Sequence, residues 1–188
     1  MKTLKNKWLN YKSRKLKKSK RKPLIKIMFA FVLITYTGSL LPGLFNFWFN
    51  ISSSIPYGLY RIENRYPQKD DYILFCLNRK IAKISSQRGY VTQGNCSFQS
   101  APVGKKVVAV QGDHVKISSN GIEINGIKFP FSIPQKYDIR MRKLPEFRIN
   151  RFLDNNEYIV ASSKENSYDS RYFGIVRGEE IKGVIVKQ

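Results

Sequence analysis

Apolar residues along this chain are spaced in two different ways, and the change divides it into two regions. No charged residue occurs from 27 to 60, and residues 24–41 are mostly apolar. Eighteen helical residues rise about 27 Å, which is enough to cross the hydrocarbon core of a bilayer. Proline and glycine at positions 42–43 end such a helix. The pattern therefore predicts one transmembrane anchor over residues 24–42.

After residue 60, the apolar residues fall in short runs separated by turn residues, which is typical of β-strands. Asn-Gly pairs at 120–121 and 125–126 each predict a tight hairpin, because Asn and Gly tolerate the positive φ angles of such a turn. The predicted strands are residues 72–77, 106–110, 115–118, 122–124, 127–131, 158–161 and 184–186.

Two other segments have a less regular pattern. Residues 132–150 contain two prolines and several basic residues, and we interpret them as a loop or insertion. Phe45, Phe47, Trp48 and Phe49 resemble the aromatic belt of a membrane interface. No long helical periodicity occurs after residue 60. We therefore expect a mainly β fold, in which one transmembrane helix precedes a small, coiled all-β domain at residues 50–188.

Basic residues are concentrated before the apolar segment. The chain has 34 Lys and Arg against 13 Asp and Glu, a net charge of +21, and residues 1–23 hold 11 basic residues and no acidic one. Such a tail can bind nucleic acid, bind anionic lipid, or simply hold the N-terminus in the cytoplasm. We favour the cytoplasmic tail, with an anionic membrane surface as its partner. Nucleic acid is disfavoured, since only Trp8 and Tyr11 could stack on bases.

This charge distribution predicts a protein of the cytoplasmic (inner) membrane with a single pass and an extracytoplasmic C-terminal domain. A cleaved secretory signal and a buried core helix are the alternatives, but no small-x-small cleavage site follows the apolar run, and the flanking segments do not suit a core helix. In that compartment Cys76 and Cys96 could pair, closing a loop of about 20 residues worth up to about 3 kcal/mol; two reduced thiols are the alternative. With two cysteines and one histidine, His114, we expect no zinc site and no cofactor.

Ser54 is the first candidate for chemistry. It is followed by Ile-Pro-Tyr-Gly-Leu-Tyr, in which Pro56 restricts the backbone. A serine hydroxyl is a weak nucleophile and needs a base beside it. His114 follows Gly-Asp in a predicted turn, where an exposed histidine without a catalytic role is the simpler interpretation.

A lysine can act as the base if burial lowers its pKa. Lys105 and Lys106 begin an apolar run, and side chains alternate along a strand, so only one of them can face a site. The periodicity does not choose between them. A surface position for either lysine, and a polar loop for Ser54, are the alternatives that need no function.

A third polar element, Ser-Tyr-Asp-Ser-Arg at residues 167–171, follows near the C-terminus. In this order, the elements around Ser54, Lys105 and 167–171 resemble the signal peptidase I clan of serine peptidases, family S26. The Ser-Ile-Pro-x-Gly-Leu-Tyr form is similar to the conjugative transfer signal peptidases of the TraF type. The chain departs from the family at Gln111, where proline is common, and this changes a turn rather than the chemistry.

The resemblance implies a role for each matching residue. Ser54 matches the nucleophile, and Lys105, seven residues before the Gly of Gly-Asp, matches the general base. The Ser52 hydroxyl and the Ser54 amide match the oxyanion hole. The site-supporting residues are Ser167, which orients the lysine, and the ion pair of Asp169 and Arg171; the substrate-binding residues are Ile55, Pro56 and Leu74.

The resemblance also implies a function, that of a membrane-anchored serine endopeptidase that cleaves exported precursors close to the membrane. In the TraF group the expected substrate is a pilin precursor of a conjugative type IV secretion system. A general signal peptidase and a non-catalytic membrane subunit of a secretion complex are the alternatives.

Overall fold

The computed structural model describes residues 25–38 and 46–188. Residues 25–38 form helix α1, and the compact unit that follows begins at Asn46. Within the described ranges, no helix is both long and apolar enough to cross a membrane. The basic tail 1–23, the predicted helix stop at 42–43 and Phe45 lie outside the described residues, so the anchor over 24–42 stays a prediction.

Residues 46–188 form a mainly β domain with two antiparallel sheets. The chain order is β1 (Phe47–Asn50), β2 (Gly58–Glu63), β3 (Tyr72–Phe75), β4 (Val103–Ala109), β5 (His114–Ser118), β6 (Gly121–Ile124), β7 (Ile127–Lys128), β8 (Ile149–Phe152), β9 (Glu157–Ala161), β10 (Val176–Arg177) and β11 (Ile181–Lys187).

The larger sheet has the order β1-β2-β11-β3-β4-β9-β10, and the smaller one the order β7-β6-β5-β8. In the larger sheet the last strand of the chain, β11, lies between β2 and β3. Strand β4 lies between β3 and β9 and is covered on both edges. The backbone of β4 is therefore paired on both edges, and most of its side chains are buried.

Both predicted hairpins are confirmed. Ser118 pairs with Gly121 across a two-residue turn, and Ile124 pairs with Ile127 across Asn125-Gly126. Asn125 and Gly126 have φ of 51° and 82°, as a type I′ turn requires. The predicted run 127–131 forms strand only at Ile127–Lys128. The predicted insertion is irregular until its last two residues, which begin β8.

The expectation that the domain contains only β structure was wrong, because two short helices occur in it. Helix α2 (Arg79–Arg88) is capped by the side-chain oxygen of Asn78 and ends at Gly89, whose φ of 72° suits glycine. Only Ala82 and Ser85 of α2 are buried. So narrow a buried face produces little apolar periodicity, which is why the sequence pattern did not predict the helix. Helix α3 (Ser170–Phe173) is a single turn.

Three residues of the predicted aromatic belt lie in the β domain. Phe47, Trp48 and Phe49 lie in β1, which pairs with β2. The Trp48 ring packs against Tyr60, with ring centroids 5.9 Å apart. Trp48 therefore contributes to the packing around a buried cluster of Ile55, Tyr60, Leu74 and Ile185.

Two larger apolar clusters complete the core, and β4 contributes residues to both. The first includes Ile73, Val107, Val160 and Phe173, and the second includes Val108, Val115, Ile122 and Ile159. Cys76, directly after β3, forms a disulfide with Cys96. The bond links the two ends of the segment that contains α2. This helix contributes Ala82 to the first cluster.

Candidate active site

Lys105 and Lys106 have opposite environments on β4. Lys105 lies opposite Ile73 of β3, and only 3% of its surface is exposed. Lys106 is partly exposed, and its Nζ lies 2.7 Å from Asp70 Oδ1. The alternation of side chains along the strand thus directs one lysine into the protein and the other toward solvent.

The buried ammonium group of Lys105 contacts two serine hydroxyls. Its Nζ lies 2.8 Å from Ser54 Oγ and 2.8 Å from Ser167 Oγ. Ser54 precedes β2 by a few residues and is partly buried, whereas Ser167 is buried in the loop before α3. The fold thus brings together two hydroxyls that are more than a hundred residues apart in the chain.

The surroundings of Lys105 make its amine easier to deprotonate. Burial lowers the pKa of Lys105 from 10.5 to about 8, the nearby charge of Asp169 opposes this shift, and that of Arg171 adds to it. A neutral amine has a lone pair that can accept the proton of the Ser54 hydroxyl, while one of its N–H groups donates to Ser167 Oγ. The arrangement can therefore generate an activated serine without a histidine.

Gly104 lets the Ser54 segment approach β4 closely. A Cβ at position 104 would lie 2.9 Å from the Trp48 ring and 3.1 Å from Ile55 Cδ1. Both side chains therefore pack directly on the backbone next to Lys105. Because Ile55 is anchored there, the preceding Ser54 is held within hydrogen-bond distance of the lysine.

The serine turn, which we define as Ser52–Pro56, is held by a side chain that sequence reasoning missed. Asn50, the last residue of β1, is 1% exposed and hydrogen-bonds to the turn at several points. The Ser52 hydroxyl donates to Asn50 Oδ1 at 2.8 Å. In this state, the proton of Ser52 is therefore not directed toward a substrate.

The other hydroxyl is held by a buried ion pair. Arg171 and Asp169 are both inaccessible to solvent, and Arg171 Nε and Nη2 each lie 2.8 Å from a carboxylate oxygen of Asp169. Burial by itself would lower the pKa of Arg171, but the hydrogen bond and charge of Asp169 outweigh it, so the pKa of the guanidinium is raised. Arg171 stays charged at any pH at which the protein is folded.

Arg171 uses its remaining donors to hold the loop around Ser167. We define Ser162–Ser170 as the arginine loop. Nη2 donates to the Ser167 carbonyl at 2.9 Å, and the Asp169 carboxylate accepts from the Ser162 amide. Further bonds from the guanidinium reach the carbonyl oxygens of Phe131, Ile133, Lys164 and Glu165. The ion pair thus holds the backbone that aims Ser167 at Lys105.

The three residues matched to substrate binding have different exposures. Ile55 and Leu74 are 4% and 3% exposed and lie in the same buried cluster. Pro56 is exposed, and its carbonyl oxygen accepts a hydrogen bond from the Tyr60 hydroxyl at 2.7 Å. Within the serine turn, Ile55 thus packs beside Leu74 inside the domain, and Pro56 lies on the solvent side.

Other polar features lie elsewhere in the domain. His114 begins β5 in the smaller sheet, and its ring packs on Phe152. The described part of the chain contains no group of three or more metal-ligating side chains arranged to hold an ion. A cleft of about 760 Å³ is lined by residues of the 64–67, 154–158 and 177–183 segments, and neither Ser54 nor Lys105 lines it.

Asn50 and Gly104 are the two residues of this site that sequence reasoning missed. Gly104 lies before the predicted strand 106–110 and falls within a strand only in the structure, where β4 begins at Val103, so the predicted pattern did not mark it as a close backbone approach. An asparagine four residues before a candidate serine carries no signal either, because asparagine is common in any turn. Its role becomes visible only once the hydrogen bonds are known.

A partly buried serine beside a desolvated lysine, on a mainly β domain, defines a class of hydrolase-like sites that lack histidine. The family model for signal peptidase, peptidase S26, matches residues 23–187, and the chain belongs to this family. The match covers both the described domain and α1.

Curated relatives place the chain among conjugative transfer proteins within that family. It is 34% identical over 139 residues to the plasmid transfer protein TraF of Escherichia coli, covering 72% of this chain and 78% of the relative. It is 30% identical over 138 residues to the probable conjugal transfer protein TraF of Sinorhizobium fredii, covering 72% of each. The predicted resemblance to the TraF type is therefore confirmed.

A solved structure of a signal peptidase I from Enterococcus faecalis V583 also matches. It is 20% identical, the match covers 66% of this chain and all of that one, and the TM-score is 0.36.

Proposed function

We propose that this protein is a membrane-anchored serine endopeptidase that uses Ser54 as nucleophile and Lys105 as general base. The observation that carries the proposal is the contact of 2.8 Å between Ser54 Oγ and the buried Nζ of Lys105. Membership of a peptidase family supports a protease, and the lowered pKa of Lys105 supplies a base at near-neutral pH.

The reaction follows from these positions. Ser54 Oγ attacks the scissile carbonyl carbon, and its proton passes to Lys105 Nζ. The Ser54 amide and the Ser52 hydroxyl donate to the oxyanion, an interaction worth about 3–4 kcal/mol per donor in comparable sites. Protonated Lys105 then returns the proton to the leaving amine as the C–N bond breaks. Water, deprotonated by Lys105, hydrolyses the acyl ester and releases Ser54.

Several other residues support this chemistry. Ser167 orients the amine of Lys105, and Asp169 with Arg171 holds Ser167 in place. Ile55, Pro56 and Leu74 border the substrate position next to the serine turn. We propose small residues, such as alanine, before the scissile bond of an extended substrate, by analogy with the family.

The same proposal includes a membrane location. The uncharged segment 27–60 and the 11 basic residues among 1–23 support a single-pass anchor with its N-terminus in the cytoplasm and an extracytoplasmic catalytic domain. The relatives named as plasmid or conjugal transfer proteins support a pilin precursor of a conjugative type IV secretion system as the substrate. The basic tail contacts the anionic membrane surface in this proposal.

Mass spectrometry of a pilin precursor co-expressed with the full chain tests the proposal. We expect cleavage by the wild type, and a loss of roughly 10⁴-fold or more in rate with Ser54→Ala or Lys105→Ala. Lys106→Ala is the matched control, since it removes the neighbouring lysine that faces solvent, and it should cleave normally. A product lighter by one further water would identify cyclisation of the pilin.

Two results would contradict the proposal. Full activity of Lys105→Ala would exclude this lysine as the base. If no form cleaved either the pilin precursor or a general precursor with an Ala-x-Ala site, a non-catalytic secretion subunit would be favoured. Cleavage of many unrelated precursors would instead identify a general signal peptidase.

A further inference from the structure

Asn50 forms five hydrogen bonds to the serine turn, although it lies outside that turn and has no part in the dyad. Its Nδ2 group donates to the carbonyl oxygens of Ser52 at 2.8 Å, Ile55 at 3.0 Å and Pro56 at 3.0 Å. Its Oδ1 accepts from the Ser52 amide at 3.0 Å and from the Ser52 hydroxyl at 2.8 Å. One buried amide therefore contacts both ends of the segment that contains Ser54.

The partners themselves determine the orientation of this amide. The Ser52 backbone N–H is only a donor, so the atom facing it must be the oxygen of Asn50. The three carbonyl groups are only acceptors, so the atom facing them must be the nitrogen. Both lone pairs of Oδ1 and both N–H groups of Nδ2 are thereby used, one N–H being shared between two carbonyls. No other orientation satisfies these partners.

The polar groups of Asn50 are well matched to a buried position. A buried amide without partners is costly, and a satisfied one rigidifies the groups around it. Tyr60 also holds the turn, but its hydroxyl reaches only the Pro56 carbonyl. Asn50 is the side chain that contacts Ser52, two residues before Ser54, and it does so through both the amide and the hydroxyl.

We propose that Asn50 is a positioning residue with two effects. It fixes the backbone conformation of the serine turn, and it keeps the Ser52 hydroxyl in a defined orientation until substrate binds. This inference rests on the proposed function of Ser54 and Lys105. When negative charge develops on the substrate oxygen, the Ser52 hydroxyl turns its proton from Asn50 Oδ1 to that oxygen. Oδ1 keeps the Ser52 amide as a donor, so the exchange leaves no buried acceptor unpaired.

This arrangement has a kinetic consequence that a purely structural role would not have. Asn50 is buried beneath the serine turn, so its loss should leave KM nearly unchanged. A disordered serine turn would misplace both the nucleophile and the oxyanion donors, which act in the transition state. The effect should therefore appear in kcat.

Asn50→Ala in the full chain tests the proposal, with Asn78→Ala as the matched control. Asn78 also holds backbone through its side-chain oxygen, as the N-cap of α2, but it is not part of the serine turn. We expect kcat to fall about 100-fold with Asn50→Ala while KM changes by less than about threefold. Asn78→Ala should lower the melting temperature by about 5 °C or less and leave kcat within about twofold.

A second variant, Asn50→Asp, tests the proposal even if Asn50→Ala does not fold. Asn50→Asp keeps an acceptor for Ser52 but places a carboxylate oxygen against three carbonyl oxygens, so kcat should also fall while the small volume change preserves packing. The double variant of Asn50→Ala with Ser52→Ala should lose less than the product of the two single losses, because Asn50 acts partly through Ser52. Independent multiplication of the losses, or a kcat of Asn50→Ala within twofold of wild type, would overturn the proposal.

Amide hydrogen exchange separates this inference from the proposed function. Exchange of the Ser52 amide should accelerate at least about tenfold in Asn50→Ala. The amide of Val107 in β4, which donates to the carbonyl of Asp71, should exchange at an unchanged rate. If the wild type cleaves no substrate, the proposed function fails and the kinetic role fails with it. Unchanged Ser52 exchange would overturn the positioning role whatever the activity.

Discussion

The serine turn and the arginine loop perform the same task by opposite means. Each holds a serine hydroxyl 2.8 Å from Lys105 Nζ. The serine turn is held by the neutral amide of Asn50, and the arginine loop by the charged pair of Arg171 and Asp169. The turn is partly exposed, whereas the ion pair is inaccessible to solvent.

The difference corresponds to what each segment must do. The serine turn must change one hydrogen bond during the reaction, and a neutral amide can lose a partner at modest cost. The arginine loop only has to keep Ser167 in place, and a bidentate ion pair with several carbonyl partners resists change. Removing one member of a buried pair leaves an uncompensated charge, so this segment should be the less tolerant of substitution.

The largest effect on stability should come from Arg171→Ala. It leaves the Asp169 carboxylate buried without its partner and frees the carbonyl groups of the arginine loop, so we expect a loss of about 3–5 kcal/mol in the free energy of unfolding. Urea denaturation measures this loss. Asn50→Ala should cost clearly less, because it leaves no buried charge. Equal losses for the two variants would contradict the distinction between the segments.

Lys105→Met should abolish activity yet raise stability near pH 7. The pKa of Lys105 falls from 10.5 to about 8 on folding, so between these values the unfolded chain holds a proton that the folded chain lacks. The wild-type free energy of unfolding therefore rises with pH across this window, and the penalty of burying the lysine is complete below pH 8. We expect methionine to remove up to about 3 kcal/mol of this penalty.

Denaturation curves of the wild type and Lys105→Met at several pH values test this expectation. The stability difference should be largest below about pH 8 and should shrink as the pH approaches 10.5. Lys106→Met, at the solvent-facing position, should show no such trend. A difference between wild type and Lys105→Met that stays constant from pH 7 to 10.5 would mean that the buried amine does not titrate in this range.

Ser167→Ala should change stability and activity less than Arg171→Ala or Lys105→Met. It removes one hydrogen bond to Lys105 but leaves the ion pair and the loop intact, so kcat should fall about tenfold and the melting temperature should change little. Steady-state kinetics with a fluorogenic peptide or the natural precursor measure the loss. A loss as large as that of Lys105→Ala would show that Ser167 takes part in proton transfer itself rather than orienting the amine.

The sequence predicted much of the framework and part of the site. Short apolar runs identified seven strands, and the Asn-Gly pairs identified two hairpins, because both depend on local backbone preferences. Both helices of the domain and strands β1, β2, β8 and β10 were missed. Helix α2 buries only two residues, and the aromatic residues of β1 also fit a membrane interface.

The sequence indicated which residue types could carry the chemistry, but residue pattern alone did not show which of these side chains lie together. Alternation along a strand allowed either Lys105 or Lys106 to face inward, and only the family resemblance favoured Lys105. The pairing of β4 with β3 and β9 decides the burial of that side chain. The contribution of Asn50 depends on a turn whose exact path no local pattern specifies.

The sequence by itself determined the family, the order of the three polar elements, most strands and the separation of a basic, apolar N-terminal region from a β domain. These properties depend on residue type and on spacing over a few positions. Only the tertiary structure decided which lysine is buried, how far its pKa falls and which side chains hold the two serines. Burial and hydrogen bonding there join residues from β1, β4 and the arginine loop, and such long-range proximity is set by the packing of the whole domain.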